Sequence, residues 1–257
     1  MRGLIIVLML LGLIGGGGYA VRTYAPQYLP NEWTSDEILT ERLRAEIAKD
    51  QRADAFLAKF EQLFPADYNE IMTQLVALYR RRSTEQQVDA FVERYMTSFL
   101  QDNKRHVPLA EPAALTELGA SIAHVTQVMR EEDAQMCGAV LRQGYGSVPN
   151  LEQSSPAIQA AFIRVTNAML DAIASGRRAP TQYAAPTDTQ MRAMFNRFEA
   201  IGGDMEALQR SAGDPYMRSM PAETVCLMTE QMWTAALQAE DDSGPRFVSH
   251  AMRAASY

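Results

Sequence analysis

Two cysteines are the residues of this sequence with the clearest chemistry. Cys137 and Cys226 are the only pair in the chain, so one intramolecular disulfide is the largest number it can form. Each lies in a stretch with helical periodicity, beside Met136 and Met228 respectively, so a bond would join two helices that are distant in sequence. The alternative is two buried free thiols that pack as small hydrophobic side chains. No Cys-x-x-Cys motif occurs, and the sequence therefore does not support a redox motif or a structural zinc site.

Histidines and carboxylates could form a catalytic or metal site, but their spacing favours neither. His106, His124 and His250 have no histidine partner three or four residues away, and no His-Glu-x-x-His motif occurs. The acidic runs at residues 131–133 and 240–242 lack the alternating spacing and the turn glycine of a calcium loop. An enzyme would have to assemble its site from non-adjacent residues, such as His106 or His124 with Glu131 or Asp133. The sequence itself identifies no catalytic residue.

Other motifs for cofactors or nucleophiles are equally weak. Met217 with Met220, and Met228 with Met232, could offer thioethers to Cu(I), but methionine at helical spacing also fills helical cores. There is no Gly-x-Ser-x-Gly motif, and the glycine run at residues 15–18 is not followed by the Lys-Ser/Thr of a phosphate loop. We therefore expect no cofactor and no metal.

The charge balance argues against a nucleic-acid partner. The formal net charge is −7, whereas nucleic-acid binding depends on a basic surface. The one run of three basic residues, 80–82, falls where a helix is predicted to end, and cations there suit the negative end of the helix dipole. An anion or lipid-headgroup site is the alternative for that run.

The N-terminal segment indicates that the chain is targeted to a membrane. Residues 3–21 carry no charge, and as a helix they would span roughly 28 Å, close to the hydrocarbon thickness of a bilayer. They could remain as a single-pass anchor, or they could be a signal peptide cleaved near Ala20, since Gly18 and Ala20 are small residues at the required positions. A buried core helix is the third interpretation, and it suits such a long apolar run poorly.

The residues that flank this segment favour retention in the membrane. Arg2 and the N-terminal amine outweigh Arg22, which predicts an N-in, C-out orientation. Four amphipathic aromatic residues, of the kind that settle at a headgroup interface, lie close by: Tyr19, Tyr24, Tyr28 and Trp33. Both the anchor and the signal interpretation export residues 22–257. An exported chain meets oxidising conditions, which favours the disulfide over free thiols.

Helical patterning dominates the rest of the chain and predicts an all-α fold. Residues 22–35 contain Pro26 and Pro30 and are typical of an extended tether. Apolar residues then recur with the 3.6-residue period of amphipathic helices, most regularly over residues 88–100, and period-2 alternation is never sustained. The pattern predicts about eight or nine helices in a domain over residues 36–257. A longer loop at 143–155 could divide that domain into two subdomains.

These features predict a function class but not an activity. We expect a membrane-tethered, exported helical interaction or scaffold module of the cell envelope, with the membrane bound through residues 3–21 and a protein partner outside it. The alternatives are a soluble exported ligand-binding protein released by signal cleavage, and an exported enzyme with a site that no motif marks.

Overall fold

The computed structural model describes residues 35–49, 51–143, 151–211, 219–239 and 242–255. The predicted membrane segment at 1–21, nearly all of the tether, and the aromatic residues Tyr19, Tyr24, Tyr28 and Trp33 lie outside the described residues. Within the described ranges, no helix is both long enough and apolar enough to cross a bilayer.

The fold is all-α, as the periodicity predicts, and the described residues form eleven α-helices against the eight or nine expected. Contacts divide the chain into two compact units between Leu100 and Gln101. The helices of the first unit are α1 Asp36–Ile47, α2 Gln51–Leu63, α3 Pro65–Arg80 and α4 Glu85–Asn103, whose last three residues belong to the second unit. The second unit contains a 3-10 helix Lys104–Leu109, α5 Pro112–Glu132, α6 Ala134–Gln143, a 3-10 turn Leu151–Gln153, α7 Pro156–Arg178, α8 Asp188–Ala200, α9 Met205–Ser211, α10 Ala222–Leu237 and α11 Ser243–Ala255.

Helix starts follow local capping chemistry. Before α4, the Thr84 hydroxyl accepts the Gln87 amide while the Gln87 side chain accepts the Thr84 amide. Thr187 and Gln190 form the same reciprocal box before α8. Each box satisfies backbone N–H groups that have no partner in the first helical turn, which is why these helices begin where they do.

The long helix after Pro112 is shorter than its apolar stripe suggests. The stripe runs on through Met136 and Val140, yet the structure ends α5 at Glu132 and starts α6 at Ala134. Asp133 lies between them with φ −153° and ψ 84°, and its carboxylate accepts the backbone amide of Met136. The aspartate therefore acts as the cap of a new helix.

Aromatic rings form the centre of the first unit. Phe60 on α2 is fully buried, and its ring centroid lies 4.9 Å from that of Phe99 on α4 in an edge-to-face arrangement. Phe64 lies 5.4 Å from Phe60 and 4.9 Å from Phe99. Arg44 on α1 covers Tyr68 on α3, with its guanidinium carbon 5.4 Å from the ring centroid and a 3.0 Å hydrogen bond to the hydroxyl. Ring packing thus joins α2 to α4, and one cation joins α1 to α3.

The second unit is built around α5, which packs against both α7 and α10. The Glu111 amide at the start of α5 donates to the Ser175 hydroxyl near the end of α7, 3.0 Å away, so these two helices run antiparallel. One buried cluster lies between α5, α6 and α7, and a second joins α8, α9, α10 and α11.

The predicted division at residues 143–155 differs from the boundary that the contacts give. Residues 144–150 of that loop lie outside the described residues, but the helices before and after it, α6 and α7, belong to the same unit. The boundary between units instead falls inside the continuous helix α4. The apolar residues of α4 recur without interruption, so the sequence gives no sign of a boundary inside this helix.

Candidate functional site

The two cysteines are bonded, which confirms the predicted disulfide. Cys137 on α6 and Cys226 on α10 have Cα atoms 6.2 Å apart, inside the limit of about 7 Å for a disulfide. Neither side chain has any exposed surface, and Val125, Met129 and Phe162 belong to the same buried cluster. Thiol exchange requires a thiolate to reach a sulfur atom. A fully buried bond of this kind is a structural link between helices.

Close packing of α6 on α10 brings the sulfur atoms together. A Cβ atom added at Gly138 would lie 2.5 Å from the Ala222 Cβ and 2.9 Å from the Ala222 Cα, so only glycine allows this approach. One turn farther along α6, the Arg142 guanidinium donates to the backbone carbonyl of Met220, just before α10 begins. The small residue and the cation hold the helices at the separation that the disulfide needs.

An ion pair links α5 to α10. The Arg130 guanidinium lies 2.9 Å from the Glu230 carboxylate, and only about a fifth of each side chain is exposed. The hydrogen bond to Glu230 raises the pKa of Arg130 above its ordinary value, although burial opposes it. Glu131 adds a second carboxylate 3.6 Å from Arg130. One residue of the acidic run at 131–133 therefore lies beside the ion pair between α5 and α10.

The structure does not bring His106 together with the carboxylates that a hidden active site would need. His106 lies in the 3-10 helix before α5, whereas Glu131 is at the far end of α5, about 29 Å along its axis. His124 is partly exposed on α5, and His250 is exposed on α11. In the described part of the chain, no group of three or more His, Cys, Asp or Glu side chains is placed to hold a metal ion.

Two of the paired methionines lie in a hydrophobic core. Met220 and Met228 are buried in the cluster that contains Met194 and Phe198, so their thioethers fill a hydrophobic core. Met217 lies outside the described residues.

The structure assembles a basic surface that the sequence does not reveal. We call it the basic edge: Lys104, Arg105 and His106 of the 3-10 helix, with Arg177 and Arg178 at the end of α7. The Arg105 Nε–H donates to His106 Nε2 over 3.4 Å. Burial lowers the pKa of His106, and the positive charges of Arg105 and Arg177 lower it further. Arg105 and Arg177, which come from two distant stretches of sequence, therefore both lie close to His106.

Gly176 allows the two parts of the basic edge to meet. A Cβ atom at this position would overlap the His106 carbonyl oxygen and lie 2.9 Å from the His106 carbonyl carbon. Without a side chain, the last turn of α7 reaches the backbone of the 3-10 helix. Arg177 follows directly, and its positive charge acts on His106.

Four hydrogen bonds fix the segment that carries the basic edge. In addition to the Glu111–Ser175 bond, the Thr181 amide donates to the Leu109 carbonyl over 2.8 Å, and the Tyr183 hydroxyl donates to the Ala110 carbonyl over 2.8 Å. The buried Ser249 hydroxyl on α11 donates to the Pro108 carbonyl over 2.6 Å. The 3-10 helix and the residues that follow it are thus tied to α7, to the loop after it and to α11.

Replacing Gly176 with alanine should test how far this contact constrains the edge. The added methyl would meet backbone atoms that cannot rotate away, so we expect the free energy of unfolding to fall by about 1–3 kcal/mol. Urea unfolding measures the change, and faster hydrogen exchange at residues 104–110 would locate it.

Gly119 on α5 provides the matched control for that change. An added Cβ there would meet only side-chain atoms, 2.9 Å from Val248 Cγ2 and 3.1 Å from Leu237 Cδ2, which can shift. Alanine also favours a helix over glycine by about 0.5–1 kcal/mol, so Gly119→Ala should be close to neutral. Equal effects at the two positions would contradict the tight backbone contact at Gly176.

No protein-family model, no curated protein and no solved structure matches this chain.

Proposed function

We propose that this chain is a membrane-tethered, exported helical interaction module of the cell envelope. Residues 1–21 hold it in the membrane with the N-terminus inside, residues 22–35 form the tether, and the helices from Asp36 onward lie outside the cytoplasm. A protein partner binds the helical part.

The disulfide is the observation that supports this proposal most strongly. Disulfides persist in secreted and envelope proteins and are rare in a reducing cytoplasm. The bond of Cys137 to Cys226 agrees with the export that the uncharged run at residues 3–21 predicts. These two signals arise from different parts of the chain and from different chemistry.

Three contacts that shift the pKa of a polar group also join neighbouring helices, as a scaffold requires. The hydrogen bond from Arg164 on α7 lowers the pKa of Glu117 on α5, and the bond to Tyr68 raises the pKa of Arg44. With the Arg130–Glu230 pair, each of these contacts joins two helices of one unit. Catalytic groups with shifted pKa values instead converge on a cleft. The pKa shifts of Glu117, Arg44 and Arg130 accompany contacts that fix helix positions.

Membrane fractionation tests whether residues 1–21 anchor the protein in the membrane. We expect the mature protein to stay in the membrane after high-salt and carbonate washing and to dissolve only in detergent, because the uncharged segment favours the hydrocarbon core. A soluble mature protein that begins at Val21 would reject the anchor and favour an exported ligand-binding protein or enzyme. A reporter fused to the C-terminus that is active only in the cytoplasm would reject export itself.

Crosslinking of the membrane-resident protein, followed by affinity purification, tests the interaction module. A stoichiometric partner protein supports it. Turnover of a small molecule by the purified chain, with no such partner, would favour the exported enzyme.

A further inference from the structure

Methionine is concentrated in one hydrophobic cluster of the second unit, which we call the methionine cluster. It joins α8, α9 and α10, and it includes Phe198 of α8 and Phe247 of α11. Three of its methionines are buried, and three more pack against it while remaining partly open to solvent. In chain order these six are Met191, Met194, Met205, Met220, Met228 and Met232.

The half-buried methionines gather at this cluster. Of the methionines that the structure describes, four are half-buried and the others are buried. Met191, Met205 and Met232 pack on the methionine cluster, and they come from α8, α9 and α10 respectively. The fourth is Met136, which packs on the cluster that contains the disulfide. Because susceptibility to oxidation follows exposure, each of the three helices offers one thioether side chain to a small oxidant.

Packing alone does not require sulfur at these three positions. Leucine and methionine have similar volumes and exchange in protein cores at small cost. Methionine adds a polarisable thioether, which oxidants convert into a polar sulfoxide. Both cysteines are bonded to each other, so they offer no thiol to an oxidant. The partly open thioethers are therefore the sulfur atoms best placed to react.

We propose that Met191, Met205 and Met232 form a modification site for hydrogen peroxide and related two-electron oxidants. A lone pair of the thioether sulfur attacks one peroxide oxygen, and the S–O bond forms as the O–O bond breaks. The sulfur loses two electrons and the peroxide gains them. One oxygen stays on the sulfur as a sulfoxide, and the other leaves as water after taking the proton of the transferred hydroxyl. This reaction does not depend on the proposed membrane tether.

The sulfoxides weaken the packing of α8 and α9 on α10. A sulfoxide oxygen is a strong hydrogen-bond acceptor, so a side chain that carries it favours water over an interior that contains Phe198. Hydrogen bonds between α8 and α10 remain. The Arg197 Nε–H donates to the Ala235 carbonyl over 2.9 Å, and the Gln231 side-chain amide donates to the Ile201 carbonyl over 3.2 Å. The helices are therefore loosened and not separated.

Met136 provides a comparison inside the same unit. It is also half-buried, and the Ser154 hydroxyl donates to its Sδ atom over 3.9 Å. In its cluster, the bond between Cys137 and Cys226 holds α6 on α10 covalently. Oxidation at Met136 should therefore leave these two helices in place.

Peptide mass spectrometry of the full-length protein, treated with hydrogen peroxide, tests the site. Each sulfoxide adds one oxygen atom to its peptide. Met191, Met205 and Met232 should gain this oxygen before the buried methionines of the same cluster do. Earlier oxidation of the buried Met194 or Met228 would overturn the assignment.

Hydrogen exchange tests the consequence, with variants in which leucine replaces methionine. After peroxide treatment, exchange at residues 188–211 of the wild type should accelerate on the order of tenfold, whereas exchange in α6 should not change. The test variant M191L/M205L/M232L should keep its slow exchange, because leucine fills a similar volume and cannot form a sulfoxide. The matched control M136L keeps all three methionines and should respond as the wild type does.

Urea unfolding before peroxide treatment establishes that the variants are folded. If the triple variant is not, the three single leucine variants replace it, and at least one of them should weaken the response. An equal response of the wild type and every folded leucine variant would overturn the proposal. Sulfoxides at all three positions without faster exchange would overturn it as well.

Discussion

Replacing Cys137 with alanine is expected to lower the free energy of unfolding by about 4–5 kcal/mol, the largest effect in the second unit. The bond closes a loop between residues 89 positions apart, so it restricts the unfolded chain strongly. Its loss leaves the helices α6 and α10 joined only by packing and by contacts such as that of Arg142 with Met220. Urea unfolding of the non-reduced protein measures the difference.

The double variant provides the internal control. The same bond is lost in Cys137→Ala, in Cys226→Ala and in the double variant. The free energy of unfolding should therefore fall by nearly the same amount in all three, and the effects of the two single changes should not add. Reductant should weaken the wild type to the level of the double variant and leave that variant unchanged. Two titratable thiols in the unfolded wild-type protein, with no mobility shift on reduction, would contradict the bond.

Features that depend on local chemistry can be read from the sequence. Thr84 with Gln87 and Thr187 with Gln190 are capping boxes because the partners lie three residues apart, and the sequence shows that spacing directly. The disulfide was also predictable, because two cysteines allow only one pairing.

Features that depend on tertiary packing could not be predicted from the sequence. The apolar stripe continues across Asp133, so periodicity alone does not reveal that its carboxylate starts a new helix. The basic edge depends on Gly176, whose missing side chain lets α7 touch the 3-10 helix. Arg105 and Arg177 are far apart in the chain, and the sequence gives no sign that both lie close to His106. The only sign in the sequence is that each of these two arginines belongs to a basic dipeptide.

Phe60→Ala should have the largest effect in the first unit. The side chain has no exposed surface, and its ring contacts those of Phe56, Phe64 and Phe99 at centroid distances of 6.0, 5.4 and 4.9 Å. Truncation removes the buried ring and leaves a cavity between α2 and α4, which typically costs about 3–5 kcal/mol. Leucine at the same position restores most of the volume, so Phe60→Leu should lose much less.

Phe91 on α4 is the matched control for this prediction, because it is a phenylalanine of the same unit whose side chain is only partly buried. Its ring lies 6.0 Å from that of Tyr95, and its truncation removes less buried surface.

Two compact units need not unfold together, so hydrogen exchange over residues 35–100 is the informative measurement alongside urea unfolding. Protection in this unit should fall far more in Phe60→Ala than in Phe91→Ala. Similar losses in the two variants would mean that the ring cluster around Phe60 does not form the centre of the unit.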